Sequence, residues 1–525
     1  METQVSLQTI PVLNPITNKE LYQITEPDDA HLKKVFDSAR AIQPRIADMS
    51  VQQRIEEMLK INDFILKNRE YIIDRIVEET GKARLDCLTS EVFEVCDVID
   101  HFKKVTPKIL RDHPTSVPIF LMGKKSKIVY EPLGVILVIT PWNYPFYQGI
   151  VPGLLAFLAG NAVVFKPSEV TPLKGLWEKM IQESGFMKDA FQVVYGGKGT
   201  GARCIDQRPD KIHFTGSVRG GRKVMEHASR YLIPVDLELG GKDPAIVFDD
   251  VDLERTVNGL LWGAFTNAGQ SCTSIERLYV QESIYDKLLD MMVEKTKKLR
   301  LSSPAINYRE PDCCDVGAVT AEFQIKIIEE HIQDAVQKGA RVLTGGKREP
   351  GSHHFPPTII ADCNHSMKIA SEETFGPVVA VMKFKTEEEA IQLANDSPYG
   401  LGSSVWSKDL KRAERVARKL ITGNVSINSH MLNEGNPALP FGGVKESGFG
   451  RYKGEPGITT FCNSKSILID KQGSKIEPHW YPFTKSKYAL LVNLMDSYFA
   501  RKKNWLKFAL NGLKLDSIGN KEKIK

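Results

Sequence analysis

A chain of 525 residues is too long for a single hydrophobic core, and its length predicts two or three domains. Its composition, with 42% hydrophobic and 26% charged residues, is typical of a globular protein. The formal net charge of +5 is unevenly distributed, because residues 471–525 carry 12 Lys and Arg against 4 Asp and Glu. The rest of the chain is slightly acidic, which argues against nucleic acid as a partner and makes the basic tail a separate question.

The eight cysteines are scattered through the chain, with no CxxC pair and no zinc-ligand spacing. They predict free thiols in a reducing compartment and no metal site. The opening METQVSLQTI lacks the basic and apolar regions of a signal peptide, and the apolar stretch 150–159 is too short to cross a bilayer. We therefore expect a cytoplasmic protein.

Helical periodicity dominates the first hundred residues, and its clearest run stops near Gly81. Short apolar strands then alternate with helical segments, namely GVILVIT, AVVFKP, FQVVYG, KIHFTG and VDLELG. Such alternation predicts a parallel sheet covered by helices on both faces, as in a Rossmann-like α/β domain. The alternation restarts after Gly241 and predicts a second α/β domain. The strand SKSILID has no partner nearby in sequence and is expected to complete a sheet elsewhere.

Polar side chains suited to a nucleotide or an oxyanion follow three of these strands. In KIHFTGSVRGGRKV, Ser217 is placed as a helix N-cap or phosphate contact, and Gly216 lets the backbone approach. In VVFKPSEVTP, Lys166 and Glu169 could hold the hydroxyls of a ribose. In PWNYP, Asn143 offers an amide donor for an oxyanion. Each stretch taken alone also fits an ordinary tight or solvated turn.

Two residues are candidates for the chemistry itself. Glu238 in LELGGKDP ends an apolar strand, a suitable place for a general base whose pKa is raised by partial burial. The alternative is a structural carboxylate at the Gly-Gly turn. Cys272 in NAGQSCTS lies among small and polar residues after a helical run, which suits an accessible nucleophile. From this stretch alone, a structural thiol is an equally good interpretation.

Together these motifs resemble the aldehyde dehydrogenase superfamily. PWNYP, KPSE, FTGSxxxG, LELGGKDP, GQSC, EETFGP and PFGGVKESGFGR occur in that family's order and spacing across residues 10–470. The resemblance implies an NAD(P)-dependent enzyme of the hydrolytic type, because relatives that pass the acyl group to coenzyme A generally lack the base matched by Glu238.

The resemblance also implies the role of individual residues. Cys272 matches the catalytic thiol, Glu238 the general base and Asn143 the side-chain donor of the oxyanion hole. Glu373 and Phe375 match the residues that hold the nicotinamide ribose and ring. The rest of the implied cofactor-binding set is Trp142, Lys166, Ser168, Glu169, Gly197, Gly201, Phe214, Thr215, Gly216, Ser217, Gly221, Leu239 and Gly240.

The family's architecture implies an α/β fold with a Rossmann-like cofactor domain, a second α/β catalytic domain and a β oligomerisation arm. We expect the cofactor domain in residues 1–112 and 132–240 and the catalytic domain in 241–450. The arm would comprise 113–131 and 464–470, which accounts for the isolated strand SKSILID. A homodimer or homotetramer is implied.

The implied reaction oxidises an aldehyde to its carboxylic acid through a cysteine thiohemiacetal and a thioester. Tyr144, Tyr147 and Phe441 are expected to line an apolar tunnel, which favours medium or long aliphatic or aromatic aldehydes. Pro152 stands where many relatives carry a Lys, so a proton relay through that Lys must be replaced here. Glu169 would repel a 2′-phosphate and so favours NAD, although a swinging glutamate also tolerates NADP. The alternatives are a semialdehyde-specific or CoA-acylating dehydrogenase and, more remotely, a non-catalytic structural relative.

Residues 471–525 extend past the family's usual end. Apolar and aromatic residues recur there at near-helical spacing, with a basic cluster at residues 501–503. One interpretation is a helix that contacts a membrane surface and brings the enzyme to lipid-derived aldehydes. The alternative is a helix packed on the enzyme's own surface or on a subunit partner.

Overall fold

A computed structural model describes residues 8–348, 350–471, 473, 476–522 and 524, and of Asn520 only the backbone. Residues 1–7, which belong to the predicted cofactor domain, lie outside the described residues. The chain forms two compact units. One comprises Met1–Arg111 and Tyr130–Ser464, and the other Asp112–Val129 and Lys465–Lys525.

The first unit begins with an antiparallel hairpin of Thr9–Asn14 and Lys19–Thr25, which helical periodicity did not predict. The long predicted helix spans Val51–Thr80. It begins at Ser50, whose hydroxyl and backbone N–H both bond to Gln53, and it ends at Gly81, which has a φ of 74°. The other helices of this region are Asp29–Asp48, Arg84–Cys87, the π-helix Leu88–Phe93 and Glu94–Ile109.

A six-stranded sheet follows, in which five strands are parallel and an antiparallel strand lies at one edge. Its strands, in spatial order, are Gly448–Phe449, Val235–Leu239, Lys211–Gly216, Val135–Ile139, Ala162–Lys166 and Phe191–Val193. Its helices are Pro145–Leu158, Leu176–Ser184, Lys198–Asp206 and Val218–Ser229. The strands Val135–Ile139 and Ala162–Lys166 are buried along their whole length, as expected where helices cover both faces of a parallel sheet.

A seven-stranded sheet forms the second α/β region, and all of its pairings except the first are parallel. Its strands, in spatial order, are Arg341–Thr344, Thr358–Ala361, Val378–Phe384, Ile275–Gln281, Asp243–Val247, Ser404–Trp406 and Ser426–Ile427. Its α-helices are Leu253–Phe265, Tyr285–Thr296, Glu322–Gln337, Lys368–Ser371, Glu387–Asn395 and Leu410–Ala417. The short helix Pro456–Thr459 packs instead against Glu94–Ile109 and Pro145–Leu158. Short 3₁₀ turns occur at Thr266–Gly269, Glu282–Ile284 and Lys445–Ser447.

The second unit is built on a three-stranded sheet of His113–Thr115, Lys124–Pro132 and Cys462–Asp470. The strand SKSILID, isolated in sequence, therefore pairs with the 113–131 segment of the same chain. Two helices follow it, Lys485–Phe499 and Trp505–Lys521. No helix among the described residues is long and apolar enough to cross a membrane.

Candidate active site

The three predicted catalytic side chains line one cavity of about 1230 Å³ in the first unit. Four residues that end parallel strands of the six-stranded sheet, Ile139, Lys166, Gly216 and Leu239, also line it. Ligands of open α/β sheets bind at this edge, because loops and helix N-termini converge there. The cavity thus brings Cys272, Glu238 and Asn143 together from distant parts of the sequence.

Cys272 follows a strained turn. Asn267 and Ala268 both adopt left-handed φ values, of 50° and 52°. Gly269 has a φ of 68°, and a Cβ there would lie 2.0 Å from the carbonyl oxygen of Gly376, so a larger residue is excluded. The Asn143 Nδ2 atom donates to the Gln270 carbonyl at 3.0 Å, which ties the turn to the oxyanion candidate.

The surroundings of Cys272 oppose its ionisation. Burial raises the pKa of the thiol well above its ordinary value, and the charges of Glu434, Asp243, Glu373 and Glu238 raise it further. A cysteine attacks as the thiolate. To act as the predicted nucleophile, Cys272 therefore needs a proton acceptor or a compensating positive charge.

Glu238 has the features of such an acceptor. Its side chain is buried, with 3% exposure, and neither carboxylate oxygen has a hydrogen-bond partner among the described residues. Burial raises the pKa of Glu238 well above its ordinary value, while Arg451 acts in the opposite direction. An unpartnered carboxyl group is costly to bury, so its place on a cavity wall calls for a functional explanation.

The backbone of Asn143 is positioned by a buried ion pair. Lys82 Nζ donates to the Asn143 carbonyl at 2.9 Å and lies 2.6 Å from Glu91 Oε1. Glu91 Oε2 accepts the backbone N–H groups of Phe146 and Tyr147, in the first turn of the helix Pro145–Leu158. Neither Lys82 nor Glu91 was predicted from the sequence, since Lys82 lies in a short connection between two helices and Glu91 in the π-helix Leu88–Phe93, both far from PWNYP.

The predicted ribose and phosphate contacts line the same cavity. Lys166 Nζ and Glu169 Oε2 are 3.3 Å apart. Ser217 is the N-cap of the helix Val218–Ser229, and its hydroxyl accepts from Gly220 N at 3.2 Å. Four basic residues that sequence analysis did not single out also line the cavity, namely Lys198, Arg219, Lys223 and Arg230. Their positive charges make the cavity favourable for phosphate groups.

A second buried ion pair holds the EETFGP loop. Glu276, paired with Lys242, accepts the backbone N–H groups of Thr374 and Phe375 at 2.8 Å each. Phe375, at a φ of 50°, packs edge-on against the indole of Trp142. Lys242 belongs to LELGGKDP, so its motif was visible in the sequence, but its partner Glu276 was not.

Glu373 itself accepts from Gly241 N at 3.0 Å, and burial raises its pKa to about 8. A Cβ at Gly240 would lie 2.2 Å from the Glu373 carboxylate, so the Gly-Gly turn leaves the space that this carboxylate occupies.

Seventeen of the twenty-one predicted site residues line this cavity. The four outside its lining are Gly197, Gly221, Tyr144 and Tyr147. Gly221 packs on Leu239, and the rings of Tyr144 and Tyr147 lie beside Lys82 and Lys453. Tyr452 lines the cavity together with Phe441 and was not predicted to do so. In the part of the chain that the structure describes, no group of three or more His, Cys, Asp and Glu side chains could hold a metal ion.

Comparison with known proteins identifies the family. Residues 2–467 match the aldehyde dehydrogenase family. The 4,4'-diapolycopene aldehyde oxidase of a Methylomonas species is 38% identical over 93% of this chain and 91% of its own length. The betaine aldehyde dehydrogenase of Bacillus subtilis is 35% identical over 90% of this chain and 95% of its own.

The structure is similar to that of betaine aldehyde dehydrogenase from Staphylococcus aureus in complex with NAD+. The TM-score is 0.82 at 33% sequence identity, over 91% of this chain and 94% of the other. The chain therefore belongs to the aldehyde dehydrogenase family and has its α/β fold.

Proposed function

We propose that this enzyme oxidises an aldehyde to its carboxylic acid with NAD, through a thioester on Cys272 that Glu238 hydrolyses. The observation that carries the proposal is the buried, unpartnered Glu238 carboxylate on the same cavity wall as Cys272. Membership of the family and the match to an NAD+ complex support it. The direct test is aldehyde-dependent formation of NADH, with Cys272→Ala expected to abolish it.

The cavity has the features that a dinucleotide requires. Its volume exceeds the ~300–1,000 Å³ of ordinary small-molecule pockets. Lys166 and Glu169 would hold the adenosine ribose, the N-terminus at Ser217 the pyrophosphate, and Glu373 and Phe375 the nicotinamide end. When bound, NAD would supply the hydride acceptor. Glu169 faces this space as a carboxylate, which supports NAD over NADP.

The protein's own groups account for the remaining steps. Cys272 Sγ attacks the aldehyde carbon, and the oxyanion forms beside the Asn143 amide. Nδ2 of Asn143 has two hydrogens, of which Gln270 accepts one, so the second is free for the oxyanion together with the Cys272 backbone N–H. Once the thioester has formed, Glu238 accepts a proton from water as the water attacks the acyl carbon, and the acid is released.

Medium or long aliphatic or aromatic aldehydes are the proposed substrates. Phe441 and Tyr452 form an edge-to-face pair on the cavity wall, with ring centroids 5.3 Å apart, and offer apolar contact to such chains. A semialdehyde would need a cation for its second carboxylate, and a CoA-acylating enzyme would not need Glu238. A panel of aliphatic, aromatic and carboxylate-bearing aldehydes, with NAD or NADP and with or without coenzyme A, separates these cases.

We also propose the domain division and assembly that the family pattern implies. The two sheets fall within residues 135–239 and 243–427, apart from the edge strand Gly448–Phe449, which supports a cofactor domain followed by a catalytic domain. The three-stranded sheet of residues 113–132 and 462–470 would act as the arm of a homodimer or homotetramer. Sedimentation equilibrium, compared between the intact chain and a variant with charges introduced on this arm, tests the assembly.

A further proposal concerns residues 471–525, which we assign to contact with an anionic membrane surface of a cytoplasmic enzyme. The helix Lys485–Phe499 carries a stripe of exposed apolar side chains, Tyr488, Val492, Met495 and Phe499. The helix Trp505–Lys521 carries another, Leu506, Leu510 and Leu513. Both stripes have the spacing of a single helix face.

The charges favour a membrane as the occupant of these stripes. The turn between the two helices contains Arg501, Lys502 and Lys503, all exposed. Apolar stripes next to a basic cluster match the apolar core and anionic headgroups of a lipid surface. The hairpin is also anchored within its own unit, since Phe120 packs against the rings of Tyr498 and Phe508. Packing on the chain therefore accounts for the inner face of the hairpin but not for the exposed stripes.

A further inference from the structure

Lys453 is a fully buried cation that the proposed mechanism does not yet use. It has 0% exposure and a left-handed backbone with a φ of 61°. Its ammonium donates to the backbone carbonyl of Glu434 and lies 5.3 Å from the ring of Phe441 and 5.4 Å from the ring of Tyr452. Burial of an ammonium group is costly, and aromatic faces with one carbonyl compensate for it only in part.

This cation lies directly behind the wall of the active-site cavity. Phe441 and Tyr452, whose rings it contacts, line the cavity together with Cys272. The side chain of Glu434 reaches the nucleophile's own segment, since it accepts the hydroxyl of Thr273, the residue after Cys272, at 3.0 Å. Glu434 thus connects Lys453, through its carbonyl, to the Cys272 loop, through its carboxylate.

Charged side chains surround both Lys453 and Cys272. Burial lowers the pKa of the Lys453 ammonium, whereas the charges of Glu434, Glu94, Cys272 and Glu238 favour its charged form. The groups that act most strongly on the Cys272 thiol are the carboxylates of Glu434, Asp243, Glu373 and Glu238, and each disfavours the thiolate. The ammonium of Lys453 is a positive charge next to Phe441 and Tyr452, which line the cavity together with Cys272.

We propose that Lys453 activates Cys272 electrostatically: held behind Phe441 and Tyr452, its ammonium stabilises the thiolate of the nucleophile without touching substrate or cofactor. The carboxylate of Glu434, which accepts the Thr273 hydroxyl beside Cys272, partly offsets this effect. The inference rests on the proposed function, in which Cys272 is the nucleophile. On ionisation the thiol proton passes to water in the cavity or to Glu238.

The test measures the thiolate directly rather than turnover. Full-length enzyme without cofactor is alkylated with iodoacetamide between about pH 6 and pH 10, and mass spectrometry follows the peptide that contains Cys272, so that the other seven cysteines do not interfere. Lys453→Met should lower the alkylation rate at pH 7 by about tenfold, which corresponds to a pKa shift of about one unit. Lys453→Arg should retain most of the rate, and Glu434→Gln should raise it.

The opposite signs expected for Lys453→Met and Glu434→Gln separate an electrostatic role from general loss of structure, which circular dichroism monitors in parallel. If Lys453→Met does not fold, Lys453→Gln takes its place, since it also removes the charge but keeps a polar group for the Glu434 carbonyl, and it should lower the rate in the same way. Alkylation profiles that coincide with wild type, or that shift in the same direction for both variants, would overturn the proposal. The proposed function fails by a different result, aldehyde oxidation retained by Cys272→Ala.

Discussion

Lys82 and Glu91 form an ion pair 2.6 Å long in which both side chains are completely buried. Each partner also fixes backbone of the PWNYP segment, Lys82 through the Asn143 carbonyl and Glu91 through two amides at the start of the next helix. The pair therefore determines where the proposed oxyanion donor stands. Its contribution is positional as much as energetic, since burial of two charges offsets most of their mutual attraction.

Breaking this pair should destabilise the protein and lower activity together. Lys82→Met leaves the Glu91 carboxylate buried without its cation, and we expect a loss of about 3–5 kcal/mol of unfolding free energy. Urea denaturation monitored by tryptophan fluorescence measures it. The double variant Lys82→Met/Glu91→Gln should recover part of the stability but not kcat, because the Asn143 carbonyl keeps only its hydrogen bond from the Asn267 amide. Recovery of kcat in the double variant would contradict the positional role.

Glu238→Gln should separate thioester formation from thioester hydrolysis. The thioester still forms, so a burst of NADH is expected at about one equivalent per active site, whereas steady-state kcat should fall by about 10²–10⁴-fold because water loses its base. Stopped-flow absorbance at the NADH band measures both phases. Cys272→Ala is the matched control and should show neither phase.

The same carboxylate sets the pH dependence. Burial raises the pKa of Glu238, and the base works in its deprotonated form, so kcat should keep rising with pH above the ordinary carboxyl range. Glu238→Gln should remove this limb of the profile. A wild-type kcat that is independent of pH between about 5 and 9 would argue against Glu238 as the base in the rate-limiting step.

Some side chains of the candidate site could be predicted from the sequence and others could not. The roles of Cys272, Glu238 and Asn143 were predicted from the family resemblance of several motifs together, because each motif alone also fits a structural role, and the three side chains line one cavity. Lys82 and Glu91 were not predicted, because a buried ion pair between a connecting segment and a helix leaves no local pattern.

The same distinction holds for the fold. Strand and helix alternation was visible as hydrophobic periodicity. The hairpin of Thr9–Asn14 and Lys19–Thr25 was missed, since its first strand exposes Pro11 and Leu13 and buries Asn14, which breaks the usual alternation of apolar and polar residues. The short strand Gly448–Phe449 was missed as well, because two residues carry no periodicity and its pairing with Glu238 depends on the tertiary fold.

Stability should respond to Glu373. Burial raises the pKa of this carboxyl to about 8, above the value of about 4.3 for an unfolded Glu. The folded state therefore holds a proton that the unfolded state has lost, and the contribution of Glu373 to stability is full below about pH 4 and declines as the pH rises to about 8. In cofactor-free enzyme, Glu373→Gln should reduce the decline of the melting temperature with rising pH between about pH 4 and pH 8. An unchanged slope would show that Glu373 is ionised in the fold.

Cofactor preference should depend on Glu169. Lys198, Arg219, Lys223 and Arg230 already favour phosphate groups along the cavity, so Glu169 is the group expected to oppose a 2′-phosphate. Glu169→Gln should raise the ratio of kcat/KM with NADP to that with NAD by about tenfold, equivalent to roughly 1.4 kcal/mol. Ser217→Ala is the control, since it should weaken both cofactors alike. A constant ratio would assign the preference to another residue.

Membrane contact by residues 471–525 should require both the apolar stripes and the basic turn. Leu506 and Leu513 are 74% and 70% exposed on one helix face, so replacing both with Ser removes apolar contact without opening a core. We expect this variant and Arg501→Gln/Lys502→Gln/Lys503→Gln each to reduce co-sedimentation with vesicles that contain anionic lipid by about fivefold or more. High salt should mimic only the charge variant, because screening weakens electrostatic attraction and leaves apolar burial intact.

Activity on a short soluble aldehyde should be unchanged in both variants, since the active-site cavity is built entirely by the first unit. Equal sedimentation of wild type, both variants and a chain truncated after residue 470 would instead favour a protein partner for the stripes, and a concentration-dependent change in sedimentation of the intact chain alone would identify that partner as a second copy.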